Sequence, residues 1–125
     1  MPQERSTVPM EISTTPVDDV TAVSVRGRVD SATADSLTAR LRELVQTGAA
    51  RLVIDFNEVS YISSAGFRTL LITERVVEQA SGGMVLCGIT GEMLRLFKLA
   101  GFYDLFTILP NRDDAVAKLR TAGGA

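Results

Sequence analysis

Leu52-Val53-Ile54-Asp55-Phe56 is a short, nearly unbroken apolar run, and the segments after it change kind in a fixed order. Helix formers and apolar residues from Phe67 to Ala80 read as a helix with one packed face, and Gly82-Gly83 then leads into a second apolar run, Met84 to Gly88. Parallel strands need a crossover between them, so a strand, a helix and a strand in succession restrict the chain to an α/β fold.

The rest of the chain extends this alternation. Met10 to Thr14 and Val20 to Arg26 read as two strands of a hairpin, separated by a turn containing Pro16, Asp18 and Asp19. Gly27-Arg28-Val29-Asp30-Ser31 interrupts the strand pattern, and Ser31 is placed to cap a helix carrying Ala34, Leu37, Leu41, Leu44 and Val45, with Gly48 at its end. Gly91 to Ala100 reads as a shorter helix ending at Gly101, its Met93, Leu94, Leu96, Phe97 and Leu99 spaced as core residues. Thr107-Ile108-Leu109 forms a last short strand, and Asn111 caps a helix with Ala115, Val116 and Leu119. Residues 1–9 read as a flexible extension, 10–120 as one domain, and 121–125 as a tail that frays.

With 125 residues, 46% of them hydrophobic, the chain suits one core. A formal charge of -2 gives no long-range attraction to nucleic acid or anionic lipid, so a protein is the expected partner. Met1 to Pro9 lacks the apolar core of a secretory signal, and no apolar stretch approaches the roughly 20 residues that span a bilayer; a cytoplasmic protein without membrane insertion is expected. Cys87, the lone cysteine, sits in an apolar run and reads as a small buried hydrophobe. With no histidine and one cysteine, the chain offers neither a Ser/His/Asp hydrolase arrangement nor a recognisable zinc site. Neither a Walker A sequence nor a Gly-rich dinucleotide fingerprint follows any strand. A non-enzyme without cofactor or metal is expected.

What remains is the junction Tyr61-Ile62-Ser63-Ser64-Ala65-Gly66, where hydroxyl residues fall between a strand and a helix. The free amides and partial positive charge of a helix start stabilise an anion held there, which makes a serine at this point a chemical switch. Asp30 lies near Ser64 if their loops share the carboxyl edge of the sheet; otherwise it is a turn or helix-start residue. Gly66 either admits a partner's backbone or relieves crowding in the first turn. Phe67 suits the core better than a contact, and Arg68, one turn after Ser64, is either a solvated helix residue or a phosphate contact. Asp55 suits a structural hydrogen-bonding role.

These segments together resemble the anti-sigma factor antagonists, the single-domain members of the STAS family. The likeness runs from about Met10 to Leu119 and is carried by Gly27-Arg28-Val29-Asp30 with Ala32-Thr33-Ala34, by the 52–56 and 61–66 segments, and by Leu94 through Gly101-Phe102. It implies a small, mixed, mostly parallel β-sheet with helices packed chiefly on one face. It also implies phosphorylation of a serine in an Asp-Ser-Ser-Gly motif by an anti-sigma factor that is itself a serine kinase; aligned through Gly66, that serine is Ser64. Here Ser63 replaces the acid and Ala65 the second serine, so Ser63 stands beside Ser64 as a rival acceptor.

The resemblance further implies that the unphosphorylated protein binds the anti-sigma kinase and releases a sigma factor or other client, that phosphorylation cancels binding, and that a serine phosphatase resets the site. The expected contact residues are Asp30, Ser31, Ser63, Ser64, Gly66, Phe67 and Arg68, on a chain that is monomeric when free. A non-switching STAS subunit of a lipid transporter or stress-signalling scaffold is the alternative.

Overall fold

Strand β3 (Arg51–Ile62) lies at the centre of the sheet, and its Leu52, Val53 and Ile54 are all 0% exposed. Burial on both faces is why this segment is continuously apolar instead of alternating. The computed structural model describes residues 10–124; the extension expected over 1–9 lies outside them. Around β3 the described elements are β1 (Glu11–Val17), β2 (Val20–Val29), α1 (Ala34–Gln46), α2 (Ser64–Gln79), β4 (Gly83–Cys87), α3 (Gly91–Leu99), β5 (Thr107–Leu109) and α4 (Arg112–Gly124). The sheet order is β1-β2-β3-β4-β5, with β1 antiparallel to β2 and the remaining pairs parallel.

Because successive parallel strands are laid down in one direction, right-handed crossovers put α1, α2 and α3 on the same face. Their side chains Leu37, Leu41, Phe67, Leu70, Val77 and Phe97 pack with Val23, Val25, Ile54, Phe56 and Leu86 in the larger core. The opposite face is covered by α4, where Ala115, Val116 and Leu119 meet Val20, Ala22, Val53, Val85 and Cys87. The mixed, mostly parallel sheet with helices chiefly on one face is therefore present.

Several boundaries differ from the sequence reading, each for a physical reason. β1 runs through Pro16, which an edge strand tolerates, and the turn shrinks to Asp18 and Asp19, with Asp18 at φ 58°. Gly27 does not end β2: at φ 98° it sits within register shifts at Ser24/Arg26 and Gly27/Arg28, a bulge that lets pairing continue to Val29 and Ile62. Ser31 is not the cap of α1. Asp30 accepts the Ala32 N–H on its Oδ1 and the Thr33 and Ala34 N–H groups on its carbonyl, which moves the helix start to Ala34. In α3 only Phe97 is buried, while Leu96 and Leu99 are exposed, contrary to their expected core role. α4 continues to Gly124, into the segment expected to fray. Asn111 caps α4 as expected, its Oδ1 accepting the Asp114 N–H at 2.9 Å.

Candidate partner-binding site at the start of α2

Parallel pairing matches Val29 with Ile62, and the Ser63 N–H donates to the Val29 carbonyl at 2.8 Å. The ends of β2 and β3 are thereby tied together, so the Asp30-Ser31 loop stands beside Ser63-Ser64, as the shared carboxyl edge of such sheets requires. Gly66 fixes how closely α2 sits on these strand ends. A Cβ there would come within 2.6 Å of Ile62 Cγ1 and 2.8 Å of Val29 Cγ1, so this glycine relieves crowding against the strands. Farther along, the Thr38 and Thr69 hydroxyls meet at 2.8 Å, and Thr69 also donates to the Ala34 carbonyl, holding α2 against α1.

The two adjacent serines have different surroundings. Ser63 is the N-cap residue, extended at φ -99° and ψ 178°, yet its side chain makes no capping bond and its buried Oγ has no partner among the described residues. Ser64, the first residue of α2, is exposed. No acidic residue lies in the first turn, so the positive end of this helix is not neutralised from within. Two features meet at one point: an accessible hydroxyl and backbone amides left without a side-chain cap.

Asp30 begins the loop that adjoins this helix start. Its carboxyl is held below its ordinary value, first by the Ala32 N–H and, after a partial offset from desolvation, by Arg28 and Thr33. Arg28 Nε lies 3.5 Å from Asp30 Oδ2, and its guanidinium stacks 4.4 Å above the Tyr61 ring. Thr33 donates to the Arg28 carbonyl at 2.9 Å and accepts the Asp30 N–H at 3.0 Å, which fixes the loop. Arg28, Thr33 and Tyr61 were missed as site residues; the spacing of Thr33 three residues after Asp30 was the available signal. Ser31 and Arg68 are exposed, and Arg68 makes no ion pair among the described residues. Gly66 and Phe67 face inward, Phe67 stacking on Phe102 at 4.5 Å; they set the position of α2 and are not surface contacts.

No group of three or more metal-ligating side chains occurs among the described residues. The Cys87 thiol is pushed up to about 12, first by burial and then by the Asp55 carboxylate, which leaves it protonated and unreactive at neutral pH. Asp55 itself is structural: its Oδ2 pairs with Arg112 at 3.1 Å and its Oδ1 accepts the Asn57 N–H at 2.9 Å. Among the described residues, no helix is long and apolar enough to cross a membrane.

The model of the STAS domain matches residues 11–115. A putative anti-sigma factor antagonist, BtrV of Bordetella bronchiseptica, is 33% identical over 90% of this chain and 97% of its own. An anti-sigma factor antagonist from Mycobacterium paratuberculosis has a similar structure, with a TM-score of 0.80, 27% identity, and coverage of 89% of this chain and 94% of that one. SpoIIAA of Bacillus in its phosphorylated form shares the fold at a TM-score of 0.67 and 18% identity, over 88% of this chain and 100% of that one. With a match over nearly the whole described chain, this protein belongs to the STAS domain family.

Proposed function

We propose that this protein is an anti-sigma factor antagonist whose binding is gated by phosphorylation of Ser64. In its unphosphorylated form it binds an anti-sigma factor that is also a serine kinase, and thereby releases the sigma factor or other client. The observation that carries the choice of acceptor is the contrast at the helix start: Ser64 is exposed, whereas the Ser63 Oγ is buried. A kinase can bring the γ-phosphate of ATP only to a hydroxyl it can reach. Ser64 Oγ attacks that phosphorus, the bond to the ADP oxygen breaks, and the hydroxyl proton passes to a base of the kinase. The antagonist supplies the acceptor and the contact surface.

A phosphoserine adds about -1.5 to -2 charges at neutral pH. Placed at the sheet edge that the Asp30-Ser31 loop shares, it converts a surface that fitted a hydroxyl into one that repels a partner shaped for the neutral form. The uncapped amides of α2 favour the new anion locally, so the domain stays folded while its surface changes. A serine phosphatase restores the binding form. Incubation with purified candidate kinases and ATP, followed by mass-spectrometric mapping, tests the assignment: phosphate is expected on Ser64, and phosphate on Ser63 would overturn it.

A further inference from the structure

The carboxyl ends of β2 and β3 outrun the rest of the sheet. β4 pairs with β3 only from Arg51 to Asp55, whereas β2 stays with β3 as far as Ile62, so the last residues of the two strands form a ledge beyond β4. Side chains alternate across a strand. Val29 and Ile62 point into the larger core, and the residues just before them, Arg28 and Tyr61, which pair with each other in register, therefore stand on the other face. On that face α4 packs against Val20, Ala22, Val53, Val85 and Cys87, nearer the amino ends of β2 and β3, and leaves the ledge uncovered. Tyr61 is 39% exposed and the Arg28 side chain 59%.

The covalent chain itself fixes how far this ledge lies from the serine. Tyr61 is three residues before Ser64, so their Cα atoms are at most about 11 Å apart. The Val29 carbonyl accepts the Ser63 N–H at 2.8 Å, and this one bond joins the residue after Arg28 to the residue before Ser64. The Arg28 and Ser64 Cα atoms are therefore within about 14 Å. A folded partner buries about 800 Å² per side, a disc of about 16 Å radius, so a kinase centred on Ser64 has both residues within its footprint.

Arg28 and Tyr61 are built as one contact. The guanidinium lies 4.4 Å over the Tyr61 ring, whereas its approach to Asp30 is long, 3.5 Å from Nε to Oδ2, beyond the roughly 2.7–3.2 Å of an N–H···O bond. Arg26 on the same strand reaches Glu58 at 3.1 Å, and Arg112 reaches Asp55 at 3.1 Å. The Asp30 carboxylate is engaged instead by the Ala32 N–H and the Thr33 hydroxyl. A ring thus holds Arg28 in place and leaves the end of its planar fork able to take a carboxylate through two parallel bonds. Tyr and Arg are enriched among the residues that carry binding energy at interfaces, and a pair already stacked loses little rotamer freedom on docking. We propose that Arg28 and Tyr61 form the docking ledge for the anti-sigma kinase that acts on Ser64, Arg28 taking a carboxylate of that partner and Tyr61 packing against the surface beside it. The assignment of the partner rests on the reading of Ser64 given above.

Purified anti-sigma kinases of the same cell, titrated calorimetrically against the full chain, test the ledge. Arg28→Ala is expected to weaken binding about 30-fold and Tyr61→Ala about tenfold. Arg28→Lys keeps the charge but loses the fork, and is expected to stay about tenfold weaker than wild type. In phosphorylation assays KM rises in both alanine variants while kcat is retained, because the acceptor itself is untouched. Unchanged circular dichroism melting curves confirm that the variants are folded, and unchanged Ala32 and Thr33 amide signals in NMR spectra confirm that the Asp30 loop has kept its place. Wild-type affinity in Arg28→Ala and Tyr61→Ala overturns the proposal, as does failure of every kinase to bind the wild-type chain. A loss of binding that comes only with shifted Ala32 and Thr33 signals also overturns it, giving the contact to the loop. Full affinity in Arg28→Lys overturns the paired bond to a carboxylate. Weakened binding in the ledge variants with phosphate mapped to a residue other than Ser64 supports the ledge and overturns the reading of Ser64; undiminished binding with phosphate on Ser64 does the reverse.

Discussion

The starts of α2 and α4 stand at the same edge of the sheet, after β3 and β5, but are finished differently. At α4, Asn111 accepts the Asp114 N–H, Asp113 and Asp114 complement the helix dipole, and Arg112 is drawn down onto Asp55 Oδ2 and, at 2.7 Å, onto Ser24 Oγ. At α2 the N-cap side chain makes no capping bond and the first turn holds no acid. The buried side-chain atoms left without a hydrogen-bond partner among the described residues, Ser63 Oγ and Glu74 Oε1, lie at the N-cap of α2 and on α2 itself. The α4 start is satisfied by the chain itself, whereas the α2 start leaves its amides open, which is what the proposed phosphorylation of Ser64 requires.

Breaking the closed start gives the largest expected change in stability. Arg112→Ala strands the Asp55 carboxylate, which is 7% exposed, and is expected to cost about 2–3 kcal/mol, below the range for a fully buried pair because the Arg112 side chain keeps contact with solvent. Urea unfolding reads this as a lower midpoint with an unchanged slope. The open start should respond in the other assay. Ser64→Asp is expected to weaken binding to the anti-sigma factor by about 100-fold, or about 2.7 kcal/mol, in surface plasmon resonance. Its unfolding free energy should stay within about 0.5 kcal/mol of wild type, since an acid in a first turn is locally favourable. Ser64→Ala should keep binding. A Ser64→Asp protein that binds normally but unfolds early would erase the distinction between the two starts.

Gly66→Ala probes what holds the open start in place. The new methyl would have to displace the side chains of Ile62 and Val29 at the strand ends, so about 1–2 kcal/mol of destabilisation is expected. Binding should weaken with it, because α2 shifts relative to the Asp30 loop. A variant as stable as wild type would mean that the strand ends yield and that the helix position is not tightly set.

Much of this comparison was legible in sequence, but not its decisive part. The apolar runs gave the central strands because both of their faces are buried, whereas the last residues of β2 and β3 carry Arg26, Arg28, Glu58 and Tyr61 and extend beyond the residues that β4 pairs. Pairing there continues through a bulge, which no apolar pattern marks. The nearness of Asp30 to Ser64 followed from topology. The inequality of Ser63 and Ser64 did not, because it depends on backbone angles at the cap that turn one hydroxyl inward. Asp55 announced itself as a carboxylate in an apolar strand, but its partner Arg112 is 57 residues away and carries no local signal. Leu96 and Leu99 misled because the short α3 turns Met93, Leu94 and Phe97 to the core and leaves its other apolar residues exposed.

The second orphan atom on α2 gives a smaller, pH-dependent effect. The Glu74 carboxyl is raised above its ordinary value of 4.5, first by burial and then by the nearby Glu78 carboxylate. A carboxyl whose folded value is the higher one keeps its proton better in the folded state, so its ionisation opposes folding. Its penalty is absent below the unfolded value and grows as pH rises through the folded value. Glu74→Gln should therefore be more stable than wild type at pH 7, with the gap closing toward pH 4 in denaturant titrations. A constant gap across that range would assign the effect to packing.

Ser63→Ala is the smallest and sharpest test. Replacing a working serine cap by alanine ordinarily costs about 0.5–2 kcal/mol. Ser63 makes no such bond, and removing a buried hydroxyl without a partner removes its desolvation penalty as well, so a change within about 0.5 kcal/mol is expected, with either sign. Phosphate incorporation on Ser64 should continue, because the reachable hydroxyl remains. The counterpart at the closed start, Asn111→Ala, should show the full cost of a lost cap. Equal losses in the two variants would mean that Ser63 turns its hydroxyl onto the helix amides in solution. The first turn of α2 would then be capped before phosphorylation, and the phosphate would have to displace that cap to reach the same amides.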